Sequence, residues 1–164
     1  MSTENMALGQ IHPEFFIRMQ KLLGDEYPAF VANYSEPAHS GLRVNTLKVS
    51  AQEYQSLTPF ELSPLPWCPT GFLTTPDTQP GKHPHHAAGL YYLQEPSAMA
   101  VAEILDPKPG EHVLDLSAAP GGKTTHLAAL MQNQGWIVAN EIHPKRAWDL
   151  AENLERCGVR IAAI

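Results

Sequence analysis

Between residues 112 and 164, short apolar runs alternate with stretches of helical periodicity, and the first run enters its helix through a glycine turn. His112-Val113-Leu114-Asp115-Leu116 reads as a strand, Pro120-Gly121-Gly122 as a tight turn, and Lys123 to about Met131 as a helix broken by Gly135. Trp136 to Asn140 reads as a second buried strand. Pro144 opens a helix that runs to about Cys157 and is capped by Gly158, and Ile161–Ile164 begins a third strand. Strands separated by helices need crossovers, and crossovers lay strands parallel. The expected fold class is α/β, the start of a doubly wound parallel sheet. Three strands are visible where about five or more are usual, so the sheet is expected to be truncated in its third strand. Its second half is expected to be missing or to come from another chain.

Upstream of residue 90 the pattern is different. Residues 13–23 carry Phe15, Phe16, Met19, Leu22 and Leu23 at helical spacing, with Pro13 in the first turn and Gly24 as cap; a short helix, about Glu26 to Tyr34, ends before Glu36-Pro37. Leu42-Arg43-Val44-Asn45-Thr46-Leu47 alternates like a half-buried strand, and Ser50 with Glu53 has capping-box spacing. Residues 58–84 are rich in Pro and Gly, with strand-like pieces such as Gly71–Thr74. Leu90–Leu93 reads as a short strand, and Glu95-Pro96-Ser97 starts a helix to about Leu105, its face formed by Ala98, Val101, Ala102 and Leu105, stopped by Asp106-Pro107. This divides the chain into a small α/β domain, residues 1–90, and the glycine-turn domain, residues 91–164.

Composition narrows the function classes. The net charge is −6 over 164 residues, which argues against binding nucleic acid by bulk charge. There is no apolar run long enough for a membrane helix, and Met1–Gln10 lacks the pattern of a secretory signal. The two cysteines, Cys68 and Cys157, form neither a disulfide framework nor a zinc pattern, so a reduced, cytoplasmic protein is expected.

The chemistry concentrates in the glycine turn. Small residues in Ser117-Ala118-Ala119-Pro120-Gly121-Gly122-Lys123 let the backbone pass close to a ligand, and the helix start offers unpaired N–H groups. Glu141 follows the next strand at the spacing where nucleotide-type cofactors place their ribose hydroxyls on an acid. A plain βα turn with a solvent-facing Glu141 is the bland alternative. A phosphate-binding loop is the rival. Gly122-Lys123-Thr124 fits its end, but Ser117 stands where its first glycine belongs and Pro120 removes an N–H.

Asp115-Leu116-Ser117-Ala118-Ala119-Pro120-Gly121-Gly122-Lys123-Thr124 resembles the Nop/Sun family of S-adenosylmethionine-dependent RNA cytosine-5 methyltransferases. So do Gly41-Leu42-Arg43-Val44-Asn45-Thr46-Leu47-Lys48, Pro66-Trp67-Cys68, Gln94-Glu95-Pro96-Ser97-Ala98-Met99 and Asn140-Glu141-Ile142-His143-Pro144-Lys145-Arg146. The resemblance implies a small domain that helps hold RNA, ribosomal RNA in the bacterial branch, followed by a Rossmann-like methyltransferase domain. It implies that Ser117, Ala118, Ala119, Pro120, Gly121, Gly122 and Lys123 surround the methionine part of S-adenosyl-L-methionine, and that Glu141 takes the ribose hydroxyls. Ser117 stands where many members have Cys. The family attacks cytosine C6 with a cysteine thiolate, and a second cysteine helps release the product. Both lie after the third strand, beyond residue 164, and neither Cys68 nor Cys157 matches them. No catalytic residue is therefore assigned, and the isolated chain is expected to be inactive. A non-catalytic remnant that binds RNA or a partner, such as the missing C-terminal half, is the alternative, with the NTPase behind it.

Other features are read as structural. His83-Pro84-His85-His86 has no carboxylate or Cys in the cluster, and no metal is expected. Arg43 and Lys48 either touch RNA phosphate or lie on a solvated strand edge. Arg146 supports Glu141 or faces solvent. Cys68 and Cys157 are expected as small buried hydrophobes, and Trp136 and Trp148 in the core.

Overall fold

The computed structural model describes residues 11–35, 40–75 and 78–164. The N-terminal stretch Met1–Gln10 and the Glu36-Pro37 helix stop lie outside the described residues. The chain forms two compact units, residues 1–38 and 39–164. In the first, helix α1 (Pro13–Leu23) leads through a 3-10 turn (Gly24–Glu26) into α2 (Tyr27–Ala32) and a second 3-10 turn (Asn33–Ser35). The His12 ring accepts from the Glu14 N–H, and Gly24 turns the chain at φ +53°. Phe15, Phe16, Phe30 and Tyr34 form an aromatic cluster with ring centroids 5.4–6.1 Å apart.

The second unit contains two sheets. Strands β1 (Ser40–Val44), β2 (Leu62–Leu65), β3 (Cys68–Thr74) and β4 (Tyr91–Leu93) form an antiparallel sheet in the order β2-β3-β1-β4. Helices α3 (Ala51–Leu57) and α4 (Pro84–Ala87) lie in its connections, and α3 opens on the predicted Ser50–Glu53 capping box. After α5 (Pro96–Leu105), strands β5 (His112–Asp115), β6 (Trp136–Ala139) and β7 (Ala162–Ala163) pair in parallel in sequence order, connected by α6 (Gly122–Leu130) and α7 (Pro144–Cys157). This is the mixed α/β architecture with a partial Rossmann-like sheet that the alternation predicts.

Leu42, Val44, Tyr54, Phe72 and Tyr91 make the core on one face of the antiparallel sheet. The other face packs on α5, with Met99 beside Leu65 and Cys68. Ala102, Leu127, Ala128, Met131, Ile137 and Ile161 fill the space between α5, α6 and the parallel sheet. Cys68 and Cys157 are free and buried, as expected.

Four expectations are corrected. The first strand ends at Val44 and is not half-buried: Leu42, Arg43, Val44 and Asn45 are all buried, because both faces of the sheet are covered. Asn45 diverts the chain, its Oδ1 accepting from the Leu47 N–H at 3.2 Å. The buried face of α5 is Pro96, Met99 and Ala102, whereas Val101 and Leu105 are exposed. Strands β5 and β6 are covered on one face, leaving Leu114, Trp136 and Val138 exposed on the other. Trp148 is 76% exposed. It lies about 200° around α7 from Leu150, the start of the buried Leu150–Leu154–Cys157 stripe.

Candidate functional site

Strand β5 ends in a buried acid that organises the turn. The Asp115 carboxylate accepts from the Thr124 hydroxyl at 2.7 Å and from the Ser117 N–H at 3.2 Å. The tips of β5 and β6 are locked by Asn140 N–H to Asp115 O (2.8 Å), Ala118 N–H to Asn140 O (3.0 Å) and Asn140 Nδ2 to Leu116 O (3.1 Å). Gly121 caps α6 at φ +114°, and a Cβ there would lie 3.2 Å from Leu150 Cδ1. Only glycine adopts that backbone without strain.

Every carbonyl oxygen from Ala118 through Gly122 accepts a hydrogen bond from the protein. Ala118 O takes the Gly121 N–H at 2.8 Å and Gly121 O takes the Thr125 N–H at 2.9 Å. Ala119 O takes Arg146 Nη2 at 2.9 Å. Pro120 O takes the Tyr92 hydroxyl at 3.1 Å and Asn153 Nδ2 at 2.9 Å. Gly122 O takes Arg43 Nη2 at 3.3 Å and the Thr125 hydroxyl at 3.1 Å. With its acceptors engaged, the loop presents the free N–H groups of the first turn of α6. It therefore suits a ligand that carries hydrogen-bond acceptors, such as a carboxylate.

Three cavities border this loop, one of them at Pro120 alone. Of the other two, the first, of about 210 Å³, is lined by Tyr92, Leu93, Gln94, Glu95 and Ala98 on one side and by Ala118, Ala119, Pro120, Gly122 and Lys123 on the other. The second, of about 160 Å³, is lined by Leu116, Ser117, Asn140, Glu141, Ile142, His143 and Arg146. Glu141 is held within it: Oε1 accepts from the His143 N–H at 3.0 Å, and Oε2 pairs with Arg146 Nη1 at 3.1 Å. Arg146 thus supports Glu141 and spans from that acid to the loop. Of the residues singled out in the sequence, Ala118–Pro120, Gly122 and Lys123 line the first cavity, Ser117 and Glu141 line the second, and Gly121 shapes the turn between them.

Other sequence readings change here. Arg43 is neither a phosphate contact nor a solvated edge, being 1% exposed. It donates from Nη2 to Thr125 Oγ1 at 2.8 Å and from Nε to Gln94 Oε1 at 3.1 Å. Burial lowers its pKa to about 10, which leaves it charged at neutral pH. The Lys48 ammonium is committed to the carbonyls of Ala88 and Arg156 at 2.6 and 2.7 Å. Thr124, which a phosphate-binding loop would aim at a metal, is fully buried on Asp115. His83 Nδ1 caps α4 by accepting from the His85 N–H. Burial pushes both cysteine thiols up in pKa, opposite to what a nucleophile needs. The sequence offered no local signal for Arg43, Tyr92 or Asn153 as loop supports, since their partners lie on other elements.

Beneath the loop, His126 is buried on α6 with Nε2 3.1 Å from a Glu103 carboxylate oxygen. Burial, with Arg43 nearby, lowers its pKa from the usual 6.5 to about 3. The folded protein therefore binds fewer protons at His126 than the unfolded chain between those values. Its stabilising contribution is complete above pH about 6.5 and is lost as pH falls towards 3. Urea unfolding at pH 7.5, 6 and 5 should show this slope in the parent chain and a shallower one in His126→Gln.

Residues 11–96 match the family model described as the N-terminal domain of 16S rRNA methyltransferase RsmF, and residues 102–164 match that of 16S rRNA methyltransferase RsmB/F. The ribosomal RNA small subunit methyltransferase F of Vibrio atlanticus (strain LGP32) is 40% identical over 164 aligned positions, which cover 94% of this chain and 35% of that protein. The protein of the same name from Vibrio cholerae serotype O1 (strain M66-2) is 42% identical, covering 93% and 34%. This chain thus spans about a third of the length of those relatives. A solved methyltransferase homologue from Pyrococcus horikoshii superposes with a TM-score of 0.80 at 33% identity, covering 93% of this chain and 56% of that one. NSun6 from the same organism, solved with SFG, shares the fold with a TM-score of 0.81 at 20% identity, covering 93% and 64%.

Proposed function

Because this chain belongs to the RsmB/F family of 16S rRNA methyltransferases, we propose that it forms the RNA-positioning domain (residues 1–90) and the first half of the S-adenosylmethionine site (residues 91–164) of an RNA cytosine-5 methyltransferase. The observation that carries this reading is the loop whose five successive carbonyls are all engaged by the protein. The loop thereby keeps N–H donors for the ligand's methionine carboxylate, with Lys123 on the rim of the same cavity. The Glu141 carboxylate has acceptor capacity left for two ribose hydroxyls, and the residues present fit the cofactor. When bound, S-adenosylmethionine supplies an electrophilic methyl group. A neighbour of this fold solved with SFG, an analogue of that cofactor, supports the reading.

The nucleophile is not among residues 1–164: both cysteines are buried with raised pKa. The chain alone therefore holds cofactor without transferring methyl. Ribosomal RNA is the partner, the C-terminal half of the family protein is a second one, and the compartment is the cytoplasm. No helix among the described residues is long and apolar enough to cross a membrane. The test is calorimetric titration with S-adenosylmethionine and with ATP. One-to-one binding of the first and none of the second is expected. ATP binding alone would return the loop to the NTPase reading, and methyl transfer to 16S rRNA by this chain would overturn the inactivity.

A further inference from the structure

Arg43 and Tyr92 face each other across the β1–β4 ladder, paired in register. From adjacent strands of the antiparallel sheet they reach two carbonyls of the loop, Arg43 that of Gly122 and Tyr92 that of Pro120. Arg43 also holds Thr125 and Gln94, and Gln94 lines the cavity beside Lys123. A guanidinium that is 1% exposed is costly to bury, and a shorter apolar residue would have filled the same sheet face. What it contributes is three fixed directions, two to α6 and one to the cavity wall. The Tyr92 ring is itself held by the Arg156 guanidinium, 5.6 Å from its centroid.

We propose that Arg43 and Tyr92 are positioning residues that act as one clamp on the cofactor loop, so that affinity for S-adenosylmethionine is set from the antiparallel sheet. This rests on the cofactor reading above. Two carbonyls held from one rigid ladder fix the loop's tilt against α6, and with it the direction of the N–H groups left for the ligand. By linkage, whatever displaces β1 against β4 changes cofactor affinity, and bound cofactor resists that displacement. The competing candidate for a new site is the cluster of Cys68, Glu103 and His126, whose potential ligand atoms lie within 4.8 Å of one another. The buried positive charge of Arg43 beside it opposes a cation there, and Glu103 is one of the groups that stabilise that charge.

The experiment titrates S-adenosylmethionine into the chain and into Arg43→Lys, Tyr92→Phe and the double variant, and follows amide exchange at residues 121–125. Each single change should raise Kd about tenfold, as expected for one buried hydrogen bond to the loop. The double change should raise it by less than the product, since both act on one loop. Exchange should accelerate in each at Gly121 and Thr125, whose N–H groups donate to Ala118 O and Gly121 O. Val44→Ala, a core change on the other face of β1, should lower Tm while leaving Kd and exchange at 121–125 unchanged. The clamp is overturned if folded Arg43→Lys and Tyr92→Phe bind within twofold of the parent, or if Val44→Ala weakens binding as much as they do. Tyr92→Phe loses only a hydroxyl and keeps the question open to measurement if Arg43→Lys does not fold. Should the parent chain not bind S-adenosylmethionine, the cofactor reading fails instead, and the clamp stands or falls on amide exchange.

Discussion

Gly89→Ala is expected to destabilise residues 39–164 by about 4 kcal/mol or more. Gly89 has φ +69°, and a Cβ built there would lie 2.0 Å from the Arg156 carbonyl oxygen and 2.9 Å from its carbon. Those are backbone atoms at the end of α7, and they cannot rotate aside. Nor can the segment drift away, because three side chains tie it to α7. Asn45 Nδ2 donates to Gly89 O at 2.9 Å and to Cys157 O at 2.8 Å. Lys48 bridges the carbonyls of Ala88 and Arg156, and Arg156 Nη1 donates to His86 O at 2.8 Å. Relieving the clash would break several of these bonds together, the two buried ones from Asn45 among them. Gly110→Ala is the control: φ is +93° but nothing lies within 4 Å of its Cβ, so only backbone strain of about 1–2 kcal/mol is expected. Thermal melts monitored by circular dichroism should place Gly89→Ala at least about 10 °C below the parent and clearly below Gly110→Ala. Equal shifts for the two would show that the contact with α7 does not constrain the fold.

The same contact explains which parts of the structure the sequence made legible. Helix α7 was readable at both ends because Pro144 and Gly158 are local signals, and the glycine turn was readable because β5, turn and α6 are contiguous. Strand β1 was not. Leu42 to Leu47 satisfies the alternation of a half-buried strand, yet Arg43 is buried because its partners, Gly122 and Thr125, arrive 79 and 82 residues later. Asn45, which turns the chain locally, is also anchored by carbonyls 44 and 112 residues away. Trp136 and Trp148 failed for a different reason. Size and apolarity predict burial only where something packs against the face, and these two lie on faces of β6 and α7 that the described residues leave open. In the candidate site, the loop residues and Glu141 were legible because they are adjacent or at fixed spacing. Arg43, Tyr92, Arg146 and Asn153 were not legible as supports of the loop carbonyls, because they come from β1, β4 and α7.

Glu141→Ala is expected to raise the Kd for S-adenosylmethionine about 100-fold while moving Tm by only a few degrees. The side chain is 3% exposed and already accepts from the His143 N–H and Arg146. It is therefore preorganised, with acceptor capacity left for the two ribose hydroxyls of the proposed cofactor. Two hydrogen bonds to a charged acceptor contribute about 1.5 kcal/mol each, which together correspond to a little over 100-fold. Truncation also frees one anchor of Arg146, which would then hold only Ala119 O. Glu141→Gln keeps an oxygen acceptor but loses the charge, so about tenfold is expected from it. Arg146→Ala separates the contributions. It leaves the carboxylate in place but removes its partner and one loop support, and should weaken binding less than Glu141→Ala. A Kd for Glu141→Ala within threefold of the parent would remove the ribose role. If Glu141→Gln bound as tightly as the parent, the charge would be irrelevant and the acid would serve only to orient Arg146 against the loop.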